Sequence, residues 1–443
     1  VDAYNVAVGG LAGTAVTTGL ANTLIGGRSG DALTDADYNV AIGESSLTSD
    51  TLGSRSVAIG FSALGNQNFT TATDTQNTAV GNAAGAAVTT ATFNTLIGSL
   101  AGTSLTTGTD NTLVGAVAGD ALTTGTTNVA VGISALGSDT LGSLSVAIGR
   151  RALLTQNFTT ATNVYNVAVG ASAGQSVTTG VSNTIIGGLA GDAITDADYN
   201  VAMGQQAMST NTIGSRSTAI GTFALFNQNP ATAVDMYNTA IGYDSGNAVT
   251  TGINNTFVGA LAGDAITTGD YNVAFGRSAL STNTASNTNV AIGGQSLADF
   301  NVTTDTDTHN VAVGYATGAA MTTGLKNVLI GGLAGDALTD ADFNVALGYN
   351  ALSADTLGSK STAIGFQTLR DQNFTTATDT FNTAVGFNAG TNITNGSQNT
   401  LIGGLAGDAL TDGGNNVCIG YNVDHSSVGG SNAIVIGIGI TAA

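Results

Sequence analysis

The sequence predicts an all-β chain, an elongated parallel β-solenoid or β-roll of 17- and 21-residue rungs, built to associate as a homotrimer. Three observations carry this. A glycine-terminated pentad recurs along all 443 residues. Composition is far from that of a globular enzyme, with 63 Gly, 9% charged residues, one Pro and no Trp. Finally, the pentad is apolar on both faces.

The pentad reads Asn-(Val/Thr)-Ala-(Val/Ile)-Gly, as at Asn5-Val6-Ala7-Val8-Gly9. β-Branched residues alternating at period two before a glycine predict a short strand that the glycine ends. The glycine returns 25 times between Gly9 and Gly437, at 19 intervals of 17 residues and 5 of 21. Such a fixed period is the signature of a solenoid. Long intervals begin at Gly149, Gly221, Gly293 and Gly365, 72 residues apart, so three short rungs and one long rung form a super-repeat. No linker interrupts the pattern, and residues 1–443 read as a single repeat domain. At ~4.8 Å per stacked strand the rungs would extend roughly 120 Å.

Beyond the glycine a second apolar site follows. It falls seven residues on in rungs carrying Ala-Gly (Val16, Leu33, Val177, Ile266). In rungs carrying Ala-Leu, the Leu four residues on and an apolar residue nine on (Leu52, Leu141, Ile213, Leu357) are expected to take over the filling. Two strands and two turns per rung is the economical expectation. The pentad's first residue is Asn in 20 of the first 24 rungs and Ser in four (Ser56, Ser145, Ser217, Ser361), which predicts an amide ladder along the coil.

Within the strand, residues one and three before the glycine share a face, and the residue between them points the other way. The first pair, Val/Thr and Val/Ile/Leu, is expected inside the coil. The opposite column (Ala7, Leu24, Ala41, Leu96, Ile185, Phe257, Leu329, Leu401) is then an outward apolar stripe, and such stripes mark contact surfaces. Further copies of the chain are the expected cover. The single cysteine, Cys418, lies in this column and reads as a small hydrophobe with no disulfide partner.

Charge narrows the partners. A formal charge of −20 repels phosphate backbones and anionic lipid, so neither nucleic acid nor membrane insertion is expected. No apolar run approaches the ~20 residues needed to cross a bilayer. Val1 is already in register with the repeat, as in a window of a longer chain.

The residues provide little for catalysis, and no enzyme is expected. The two histidines, His309 and His425, stand more than six rungs apart and cannot join one site. The candidate site is acidic: Asp31, Asp35 and Asp37 recur as Asp192, Asp196 and Asp198 and as Asp336, Asp340 and Asp342. Three carboxylates in one turn could hold calcium through oxygen ligands, or could simply be solvated turn residues. In the long rungs, Phe69, Phe158 and Phe374 stand near Asn and Asp, as in Asn68 to Asp74. They could stack on a sugar, but their position nine residues after the glycine aligns them with the core filling.

Asn-Thr-Ala-Ile-Gly followed by Thr-Thr-Gly, as at Asn238 to Gly242 and Thr250 to Gly252, resembles repeats of phage tail fibres and related surface fibres. It is also similar to the head repeats of trimeric autotransporter adhesins, whose rungs are nearer fourteen residues. The resemblance implies three parallel chains around an axis and an extracellular place, on a virion tail fibre or cell surface. The segment Asn432 to Gly437 resembles the stretch before a self-cleaving chaperone in phage fibres, which would put Ala443 near a processed terminus. The function expected is a structural shaft that positions a receptor-binding tip. The alternative is an adhesin whose rod itself binds host-surface glycan or receptor. An ice-binding solenoid, suggested by Thr17-Thr18 and its copies, is disfavoured because the Thr pairs form no continuous ladder.

Overall fold

The computed structural model describes residues 3–442, so the expectations for Val1 and Ala443 lie outside it. Two compact units emerge, Val1–Arg216 with Pro230–Val234, and Ser217–Asn229 with Asp235–Ala443. Each is a parallel β-solenoid, and no helix occurs among the described residues. Together they hold about 25 turns.

The first unit stacks twelve three-residue strands, from Val6–Val8 to Val201–Met203. Every strand pairs in parallel with the next at one fixed register, such as Val6 with Thr23 and Ala7 with Leu24. The second unit repeats the arrangement from Thr218–Ile220 to Ile434–Ile436. All of these strands are the predicted pentads. The motif glycine closes each one in a conformation other residues avoid. At Gly115, φ is 139°, and an added Cβ would fall 2.5 Å from the carbonyl oxygen of Gly132 in the next rung.

The faces are the reverse of the expectation. The middle residue of the strand points inward: Leu24, Ala41, Leu96, Ile185, Phe257 and Cys418 are buried. The Val/Thr and Ile/Val columns point outward. The reason is parity combined with the narrow coil. The pentad's Asn must be inside to make its ladder, and it shares a face with the residue two places on. Most rungs contribute only one strand, so the interior has room for Asn and Ala or Leu, but not for two β-branched columns. Leu33, Leu64, Leu105 and Leu153 fill the remainder, all fully buried.

The ladder itself binds side chain to backbone more than amide to amide. Asn94 Oδ1 accepts the backbone N–H of Asn111 at 3.0 Å, while Asn94 Nδ2 donates to the Gly108 carbonyl at 3.0 Å. An amide-to-amide bond of 3.1 Å from Asn111 Nδ2 to Asn94 Oδ1 accompanies them. A second strand in every rung is not formed. Two-residue strands pair at only a few levels, such as Gly53–Ser54 with Thr73–Asp74 beside a long rung.

The Ala-Leu rungs also fill differently. Leu52, Leu141, Ile213 and Leu357 are only half-buried. Their place in the core goes to polar residues seven after the glycine: Asp50, Asp139, Asn211 and Asp355, followed one rung on by Gln67, Gln156, Gln228 and Gln372, all fully buried. Gln67 Nε2 donates to Asp50 at 2.6 Å and to Ser56 at 2.9 Å, and its Oε1 accepts from Asn77 at 2.9 Å. Backbone N–H groups of Gly53 and Phe69 complete the shell of the Asp50 carboxylate. Serine replaces asparagine in these pentads because the glutamine needs the space.

Candidate functional site: acidic turns and the outer sheet face

The predicted acidic residues bond along the coil rather than to one point. Asp31 accepts from the Thr48 hydroxyl of the following rung, whereas Asp35 and Asp37 accept from Thr18 and from the Leu20 N–H of the preceding one. Ser209, Thr179 and Val181 do the same for Asp192, Asp196 and Asp198. In the third copy Thr323 and Leu325 bond Asp340 and Asp342, and burial raises the pKa of Asp336. Asp340 and Asp342 line a polar groove with Ser359, Thr378 and Asp379, and Asp336 does not join them. Among the described residues no three His, Cys, Asp or Glu side chains gather as a metal-holding group. Calcium at these turns stands as a proposal that rests on the carboxylate oxygens left over from the rung-to-rung bonds.

Phe69, Phe158 and Phe374 are buried, so the long-rung aromatics present no ring to a sugar. Cys418 is buried and its thiol is pushed up to about 11 by desolvation and then by Asp424, which leaves it unreactive at neutral pH.

The outer sheet face is where apolar surface meets solvent. In each unit the residues one before the motif glycine form a column, with Ile25, Ile97 and Ile148 in the first and Ile241, Phe275 and Leu347 in the second, exposed by 37–54%. The Val/Thr column runs beside it. One edge carries residues five before the glycine, among them Tyr38, Phe93, Tyr165, Tyr271 and Phe343, roughly half exposed. The other edge carries residues one after it, including Phe61, Tyr315, Tyr349, Phe387 and Tyr421. Tyr349, Phe366 and Phe387 stack on successive rungs, with ring centroids 5.8 and 5.2 Å apart.

Charge divides along the same line. Between five before and two after the glycine lie all nine Lys and Arg except Arg370, but only three of the 29 acids, Glu44, Asp110 and Asp244. Several edge cations are held by their own chain. Arg55 pairs with Asp74 and lies over Tyr38, and Lys360 pairs with Asp379 and lies over Phe381. The apolar face is therefore almost free of negative charge on a chain of −20. This face was missed in the sequence because it was assigned to the interior. The Asn parity and the charge sorting by rung position were the signals that could have found it. No family model matches the chain, and no curated protein matches its sequence.

Proposed function

We propose that the protein is structural: the shaft of an extracellular trimeric fibre, on a virion tail or a cell surface, whose copies pack through their outer sheet faces and hold a receptor-binding tip away from the particle. The observation that supports this most is the long Ile/Val and Val/Thr face, apolar and free of acid. A face twelve rungs of ~4.8 Å long and about 20 Å wide across both edges offers ~1,100 Å² in the first unit alone. A standard interface needs about 800 Å² per partner. A partner with the same rung spacing is the one that stays in step along such a face, and a second copy has that spacing by construction. Keeping the acids off the face lets chains of like net charge approach.

Paired lysine substitution tests the contact. Ile97→Lys with Ile148→Lys points outward and leaves the coil interior untouched, so it is expected to yield folded single chains by light scattering, with the far-ultraviolet spectrum unchanged. An assembly that survives both lysines would remove this face from the contact. The exposed aromatics on the two edges favour a second reading, an adhesin whose rod itself binds glycan.

A further inference from the structure

The first unit also carries an open groove. Arg150, Ala171, Ser172, Gly188, Leu189 and Gln205 line a groove of about 470 Å³ on the edge of the outer face. These residues stand one and two places after the motif glycines of four successive rungs. Ala171 and Gly188 are its small-residue floor, and the side chains of Arg150 and Gln205 close its two ends.

Equivalent glycines elsewhere show what such a floor accepts. At Gly294, Gly332 and Gly404 the tyrosine of the next rung comes within 3.7, 3.6 and 3.4 Å of where a Cβ would stand, so a six-membered ring lies over the glycine. At Gly188 the next rung brings Gln205, and nothing lies within 4 Å. The seat is therefore open. At its end, Arg150 and the adjacent Arg151 form the one consecutive basic pair in the chain, and neither has an ion pair or an aromatic partner among the described residues. Arg150 is the one charged side chain among the residues lining the groove, and its exposed guanidinium offers a planar fork to an anion.

We propose that this groove binds a carboxylate-bearing sugar ring, a uronate unit of an acidic polysaccharide. The C–H face of the ring rests on Ala171 and Gly188 against Leu189. Its carboxylate meets the planar fork of Arg150, and a hydroxyl reaches the Gln205 amide. In the four rungs of the groove no acid stands between five before and two after the motif glycine. At physiological salt, charges more than ~8 Å away are largely screened, so the net charge of the whole chain weighs less at the groove than Arg150 itself. The site bears on the second functional reading, a rod that itself binds glycan.

Calorimetric titration of the full chain with oligogalacturonate, maltotriose and inorganic phosphate tests it. Oligogalacturonate is expected to bind and to weaken as salt rises, with no heat from maltotriose and none from phosphate. Arg150→Gln is expected to weaken binding by at least ~10-fold, the value of one charged hydrogen bond. Gly188→Leu is expected to abolish it with the melting midpoint unchanged, since its backbone lies outside the left-handed range and its Cβ meets open space. Equal heats from oligogalacturonate and phosphate would reduce the groove to a simple anion site and overturn the ring. Absence of binding, or binding unaffected by both substitutions, would overturn the site. If Gly188→Leu changed the oligomeric mass and not the uronate binding, the groove would belong to a second copy instead.

Discussion

Asn111 makes two bonds that only a primary amide at that point can make together. Its Oδ1 accepts the Asn128 N–H at 3.0 Å and its Nδ2 donates to the Gly125 carbonyl at 2.9 Å, with the residue fully buried. Removing the amide leaves both backbone groups buried and unpaired, at about 1–3 kcal/mol each. Asn111→Ala is accordingly expected to lower stability by about 2–4 kcal/mol in urea unfolding, and Asn111→Ser by nearly as much. Serine works at Ser56 only because Gln67 occupies the vacated space. A loss under about 1 kcal/mol would contradict the ladder's role. At this scale the sequence was partly legible. The Asn column could be read as structural from its recurrence, but its inward direction also places the residue two positions on inside. That step was not taken, because Val and Ile suggest burial more strongly than Ala does. Asp50 and Gln67 were equally within reach, since both fall seven residues after a motif glycine, where Leu33 sits. A buried carboxylate is unusual enough that composition argues against looking for it.

At the scale of the element, the strand is three residues long and stands by repetition rather than by length. Within each unit the inner strands pair on both sides with equivalent neighbours at the same register, so a local fault is shared with the adjacent rungs. Gly115→Ala places a methyl against the Gly132 carbonyl and demands a left-handed φ of an L residue. It is expected to lower the melting midpoint sharply, whereas Gly188→Ala, with open space at its Cβ, leaves it unchanged. Equal effects at the two glycines would refute the close stacking. Strand positions were legible because the pentad combines β-branched alternation with a glycine stop. The extra strand expected in every rung was not formed, because the segment after the glycine is a chain of tight turns. Leu100 and Leu136, for example, take left-handed φ values of 60° and 53°, which no apolar pattern announces.

For the whole molecule, acid should stabilise. Asp264 and Asp408 are held up to about 6, first by burial and then by Asp244 and Asp424 respectively. Burial also raises Asp120, Asp270, Asp336 and Asp355. Each folded pKa exceeds its unfolded value, so the native state binds the proton more tightly. The stability that Asp264 and Asp408 contribute is full below the ordinary carboxylate range and is lost as pH rises through about 6, and the other four act in the same direction. Self-repulsion at −20 acts in the same direction. Melting midpoints are expected to rise between pH 7.5 and pH 5, and Asp264→Asn should flatten part of that rise. A midpoint that falls on mild acidification would contradict it.

Architecture was legible at this scale because the period never drifts, and the apolar surface was recognised as two-sided even though its sides were exchanged. That surface still requires a cover, now over Ile97 and Ile148 rather than Ala41 and Leu96. Sedimentation equilibrium on the folded chain measures the cover directly. The mass predicted is three times 43.4 kDa, independent of loading concentration. A folded species of 43.4 kDa, with its isoleucine face in water, would contradict the account.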